Sequence, residues 1–311
     1  MCRKSMKKLP SLQFVEFPFH KLSPLQKREF LAFFRYSIYN LRKKAEGGVP
    51  LDKRKVIYYE DELEDEFSVT RLDGKHIDES YVYIHKSAFK RFTHFFWYRI
   101  VAAPLAKIYT KVAFGHKIKN QGLLKAYRKR GYFLYGNHTQ DIGDALMPNM
   151  IDMRVDKYVI VNPDNLSIPL IGHVIASLGA LPLPGNLRAT KNFNEAIEYR
   201  ISRGDKIVIY PEAHIWPYYT GIRPFKDASF SYPVKLSAPV FCFTNVYKKR
   251  RITRRPRIVT YIDGPFFPDE TLPPRERRRE LRNQVYKTMM ERAALSNVKI
   301  IEYIKKENTN D

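Results

Sequence analysis

From about Lys117 onward, short runs of β-branched and aromatic residues alternate with segments of helical length. The runs are YFLYG, KYVIVN, ALPL, KIVIYP, PVFCFTNVY and PRIVTYIDG. Several, such as KIVIYP, are apolar almost without a break, the pattern of a strand buried on both faces. Between two of them, FNEAIEYRISRG sets Phe193, Ala196, Ile197 and Ile201 at helical spacing, and Gly204 closes the segment. This alternation predicts an α/β fold: a mostly parallel central sheet flanked by helices, preceded by an N-terminal accessory region.

The first 55 residues combine an apolar, Phe-rich opening with basic runs such as LRKKAEGG and DKRK. An acidic cluster, YYEDELEDEF, then separates the β-like runs KVIYY and FSVTRL, which the pattern pairs as a hairpin. Residues 1–87 are accordingly an accessory region, basic then acidic, and residues 88–311 are the α/β domain, with an amphipathic helical segment near 88–110. Within that segment FTHFFWYRIVAAPLAKIY (92–109) is interrupted by His94, Arg99 and Lys107 before it reaches the roughly 20 apolar residues of a spanning helix. It is expected not to span. Its Trp and Phe residues with basic neighbours fit a helix lying among lipid headgroups, and a buried core helix fits the same pattern.

Charge narrows the partners. Against 32 Asp and Glu stand 55 Lys and Arg, a formal net charge of +23, so the partner is expected to be anionic. Lipid headgroups, phosphorylated small molecules and nucleic acid all satisfy that expectation. The two cysteines, Cys2 and Cys242, are too few for a disulfide framework or a cysteine-ligated zinc site and suit a reducing compartment. The N-terminal MCRKSMKKLPSLQF lacks a sustained apolar stretch, so no secretory signal is expected.

The chemistry concentrates in GYFLYGNHTQDIGDALMP, a predicted strand that ends at Gly136 and passes through Asn137 to His138. Open α/β sheets carry their reactive groups at strand C-terminal ends. An imidazole there can take a hydroxyl proton if a carboxylate holds its tautomer, and two are near, Asp141 and Asp144.

Four blocks in order, GNHTQDIGD, LGALPLPGNLR, DKIVIYPEAHIWPYYTGIRPFK and SAPVFCFTNVY, resemble those of the glycerophospholipid acyltransferase superfamily, whose best-known members are the lysophosphatidic acid acyltransferases. The resemblance covers roughly residues 115–295. It implies transfer of a fatty acyl group from acyl-CoA or acyl-carrier protein to a lipid hydroxyl, as in 1-acylglycerol-3-phosphate or another lysophospholipid, without a metal or bound cofactor. By position His138 matches the general base, Gly136 and Asn137 the turn before it, Glu212 the third-block glutamate, Phe225 and Lys226 the downstream pair, and Pro239 the start of the fourth block. Arg188 matches an arginine used near the acceptor's phosphate. The protein is expected to be cytoplasmic and peripheral on the inner face of the membrane, an anionic surface, with no nucleic acid as partner.

The chain departs from the family pattern twice. The family's aspartate falls five residues after the histidine, where this chain has Gly143, so Asp144 is favoured as partner if Gly143 absorbs one extra residue, and Asp141 stays open if a helix has already begun. The usual Glu-Gly-Thr-Arg reads Glu212, Ala213, His214, Ile215, so its arginine is missing. Arg223, after a longer loop, is then expected to meet a phosphate together with Arg188. Two rival functions remain in view. A lipid-ester hydrolase is disfavoured because no G-x-S-x-G elbow occurs, and a nucleic-acid-binding protein because no zinc-finger, RNP or P-loop pattern occurs.

Overall fold

The computed structural model describes residues 55–67, 76–84, 87, 92, 95–140, 143–167, 178–251 and 255–307. In chain order the elements begin with β1 (Lys55–Tyr59), a π-helical stretch Phe96–Ala102 running into α1 (Ala103–Phe114), β2 (Lys117–Lys119), β3 (Tyr132–Gly136), α2 (Gly143–Ile151) and β4 (Lys157–Val161). They continue with β5 (Ala180–Pro182), α3 (Leu187–Ser202), β6 (Lys206–Ile209), α4 (Ser231–Lys235), β7 (Val240–Lys248), β8 (Arg257–Phe266), α5 (Pro274–Ala293) and β9 (Ile301–Lys305).

All six apolar runs of the sequence are strands. Among the described residues they join β2 in a seven-stranded sheet ordered β2-β8-β7-β3-β6-β4-β5. Every neighbouring pair is parallel except β7 with β8, so the α/β, mostly parallel architecture holds. Central β3 lies between β7 and β6 and is buried at all of its positions, which explains why its sequence shows no alternation. A Cβ on Gly136 would sit 2.1 Å from the Phe243 ring, so only glycine lets the chain leave β3 beneath that ring.

The helices cover the sheet with the stripes their spacing predicts. In α3 the buried residues are Ala189, Phe193, Ala196 and Ile197, and Asn186 caps the start by accepting the Ala189 N–H at 2.8 Å. Helix α5 buries Leu281, Val285, Met289 and Ala293. Two of its arginines form ion pairs, Arg278 with Asp227 at 2.9 Å and Arg292 with Asp263 at 2.6 Å.

KVIYY is a strand, β1, and among the described residues its partner is β9, paired in parallel; most of FSVTRL, its expected hairpin partner, lies outside the described residues. Both strands dock on the fully buried Trp216, in the loop after β6. Tyr303 stacks on its ring at 4.8 Å and Tyr59 meets it at 4.8 Å and a steeper angle. The accessory region therefore supports the loop that carries the third sequence block. No helix among the described residues is long and apolar enough to cross a membrane.

Candidate active site

Three neighbouring strands deliver the site to the C-terminal edge of the sheet, β3 through His138, β6 through Tyr210 and Glu212, and β7 through Asn245. The turn after β3 closes on one carboxylate. Asp144 Oδ2 accepts from His138 Nδ1 at 2.8 Å, from Thr139 N at 2.7 Å and from Gln140 N at 2.8 Å. An ionised carboxylate only accepts, so Nδ1 carries the imidazole proton and Nε2 keeps its lone pair for a substrate. Burial raises the pKa of Asp144 above the usual carboxylate range, and the donors from His138, Gln140 and Thr139 oppose that rise. Asp144 is thus seated on His138, at the first turn of α2; Asp141 lies outside the described residues.

The ring of His138 is fixed from above as well. Tyr210 stacks on it with centroids 4.4 Å apart and planes at 19°, and its hydroxyl donates to the Asp144 carbonyl. Tyr247 holds the same turn by donating to Thr139 Oγ1 at 2.9 Å and accepting from Gln140 Nε2 at 2.7 Å. Sequence reasoning missed both tyrosines. Tyr210 stood directly before the Pro211-Glu212 pair, which was the available signal.

Glu212 faces the main chain of the base. Its Oε2 accepts from His138 N at 3.2 Å and lies 3.6 Å from Arg223 Nη2. Burial raises the Glu212 pKa, and the adjacent Arg223 charge is the main opposing influence. The N–H groups of residues 138–140 all donate to carboxylates, so this turn keeps none of them for an oxyanion.

Arg223 requires a correction. Expected to meet a phosphate, it is 0% exposed, and its guanidinium donates to the carbonyls of Glu62 at 3.2 Å, Glu212 at 3.1 Å and His214 while lying over the Trp216 ring. It ties the accessory segment to the third-block loop and offers no surface to a ligand. Removing one partner of a buried pair leaves the other charge uncompensated, so Arg223→Ala should cost about 3–5 kcal/mol. Thermal unfolding should register this as a fall on the order of 10 °C; an unchanged midpoint would refute the clamp.

The remaining predicted residues divide in the same way. Asn137 is also buried and inward, its amide donating to Asn245 O at 3.1 Å and accepting from Asn245 N at 2.8 Å, which extends the β3–β7 pairing past the strand end. Arg188, in the first turn of α3, is 84% exposed and 3.5 Å from Glu79. Lys226 is exposed and 3.3 Å from Glu64. His214 is half-exposed and 3.6 Å from Glu66.

Residues 117–245 match the family model described as Acyltransferase, a segment that contains His138, Asp144 and Glu212. No curated protein matches the chain significantly. Among solved structures, the chain is similar to PlsC, the 1-acyl-sn-glycerophosphate (LPA) acyltransferase of Thermotoga maritima. Identity is 16% and the TM-score 0.47, over 67% of this chain and 89% of that one. Over residues 117–245, the chain is therefore similar to the acyltransferase family.

Proposed function

We propose that the protein transfers a fatty acyl group from acyl-CoA or acyl-carrier protein to the hydroxyl of a lysophospholipid such as 1-acylglycerol-3-phosphate. The observation that carries this reading is the His138–Asp144 pair at 2.8 Å within the segment similar to the acyltransferase family. His138 Nε2 takes the acceptor's hydroxyl proton as the oxygen attacks the thioester carbonyl carbon. Asp144 stabilises the imidazolium that results. The tetrahedral intermediate then expels the thiolate, the C–S bond breaks, and the imidazolium returns the proton to sulfur. Products are an acyl ester and a free thiol, and the steps use no bound cofactor or metal.

Of the two arginines assigned to a phosphate, Arg188 reaches solvent and Arg223 does not; Lys226 of the downstream pair is exposed as well. A panel of lysophospholipids and uncharged lipid alcohols, assayed with acyl-CoA and with acyl-carrier protein, tests the proposal. It predicts the highest kcat/KM with a lysophospholipid; a preference for uncharged alcohols would remove the phosphate from the account.

The acceptor is a lipid, and one face of the protein suits a peripheral position on an anionic bilayer. Ile108 and Val112 on α1 are 62% and 73% exposed, Phe92 and Ile100 are exposed before them, and Lys107 and Lys111 flank the stripe. Arg250, in the β7–β8 connection, donates to the Ala113 carbonyl at 3.4 Å, at the end of that helix. Burial lowers the Arg250 pKa and so do Arg257 and Arg255, a concentration of like charge that an anionic surface would relieve. Anionic vesicles should retain the protein, neutral ones should not, and salt should release it, because exposed charges act within about 8–10 Å. Equal retention on both would take charge out of the argument.

A further inference from the structure

Behind Asp144, on the side away from His138, a chain of buried polar side chains crosses two strands. Asn245 Nδ2 on β7 lies 3.5 Å from Asp144 Oδ1, a long contact. Thr260 Oγ1 on β8 donates to Asn245 Oδ1 at 2.6 Å. His116 Nε2, just before β2, lies 2.7 Å from the same Thr260 oxygen. Asn245 and Thr260 are buried, at 2% and 0% exposed, inside strands that are otherwise mostly apolar. Polar side chains at such positions are uncommon and need partners.

The direction of the chain is fixed by proton counting. Thr260 has one hydroxyl proton, directed at Asn245 Oδ1, so it must accept from His116, which therefore carries a proton on Nε2. With its oxygen held by Thr260, the Asn245 amide presents Nδ2–H, and never its carbonyl, to Asp144. A rotated amide would set a carbonyl oxygen against a carboxylate. His116 can act in this neutral form because burial lowers its pKa to about 4.

We infer that His116, Thr260 and Asn245 are positioning residues that fix Asp144 as a one-way acceptor and thereby hold the general base, His138, in the tautomer that leaves Nε2 free. This inference rests on the acyltransferase reading above. It goes beyond the His138–Asp144 pair by placing the control of that pair on β8 and at the entry to β2. The backbone of Asn245 separately pairs with the Asn137 side chain, so substituting the Asn245 side chain leaves that tie intact.

Thr260 offers a clean separation of hydrogen bonding from packing. Thr260→Val keeps the shape and removes the hydroxyl, and should lower kcat about tenfold, the rate equivalent of one hydrogen bond, with both KM values unchanged. Thr260→Ser keeps the hydroxyl and removes a buried methyl, and should lower the melting temperature while restoring kcat. A purely structural role predicts the reverse ranking, Val near normal and Ser impaired, and that result would overturn the inference.

If the wild-type protein transfers no acyl group, the acyltransferase reading itself fails; if it does and these variants behave as wild type, only the positioning chain fails.

Discussion

Replacing His138 with alanine should cut kcat by about a hundredfold to ten-thousandfold, the usual cost of losing a general base, and leave the fold in place. The side chain is 17% exposed, so its removal opens onto solvent and leaves little cavity inside the core. Its backbone N–H still donates to Glu212, and the turn still closes on Asp144 through Thr139 and Gln140. The KM values should move little, because proton abstraction belongs to the transition state and not to ground-state binding. Steady-state kinetics with a parallel melting curve check this, and near-normal turnover by folded His138→Ala would remove the base from the mechanism.

Asp144→Asn should come next in size, with a loss on the order of a hundredfold to ten-thousandfold in kcat. An amide oxygen can replace Oδ2 as acceptor for the turn, but its NH2 then occupies the position of Oδ1. There it faces the Asn245 Nδ2 donor, now with like partial charge at about the 3.5 Å separation of the wild type. Rotating the amide relieves that clash and turns NH2 toward His138, which forces the proton from Nδ1 to Nε2 and blocks the base. Either arrangement also removes the negative charge that stabilises the imidazolium. Asp141→Asn, assayed beside it, should change kcat less; the opposite ranking would make Asp141 the partner.

The strands of the sheet were legible because a strand buried on both faces needs an unbroken apolar run, and YFLYG and KIVIYP have no other use for one. The partner of KVIYY was not legible. Its own residues say only that it is extended, whereas its pairing with β9 depends on a Trp216 contact made after the chain has returned from the far end of the domain. His138 was singled out by its place at a strand end together with the order of the four blocks, the first of which contains it. The choice of Asp144 was legible only as a preference, since it depends on how Gly143 enters α2.

Arg223 was misread for a physical reason: a formal charge in a sequence says nothing about its solvation. Here one guanidinium satisfies three backbone carbonyls and sits beside Glu212, a role indistinguishable in sequence from that of a phosphate ligand. Asn245 and Thr260 did leave a signal. Each is a polar residue inside a strand whose neighbours are buried and largely apolar, and a strand rarely buries an amide or a hydroxyl without directing it at something.

The most direct test of the central claim is to follow, in one reaction with a thioester donor and a lysophospholipid, the free thiol released and the acylated lipid formed. Transfer driven by His138 from the lipid hydroxyl predicts equal amounts of the two products and negligible thiol release when the acceptor is omitted. Thiol released at the same rate without the acceptor, with no acylated lipid formed, would mean that water is the acceptor and would contradict the account.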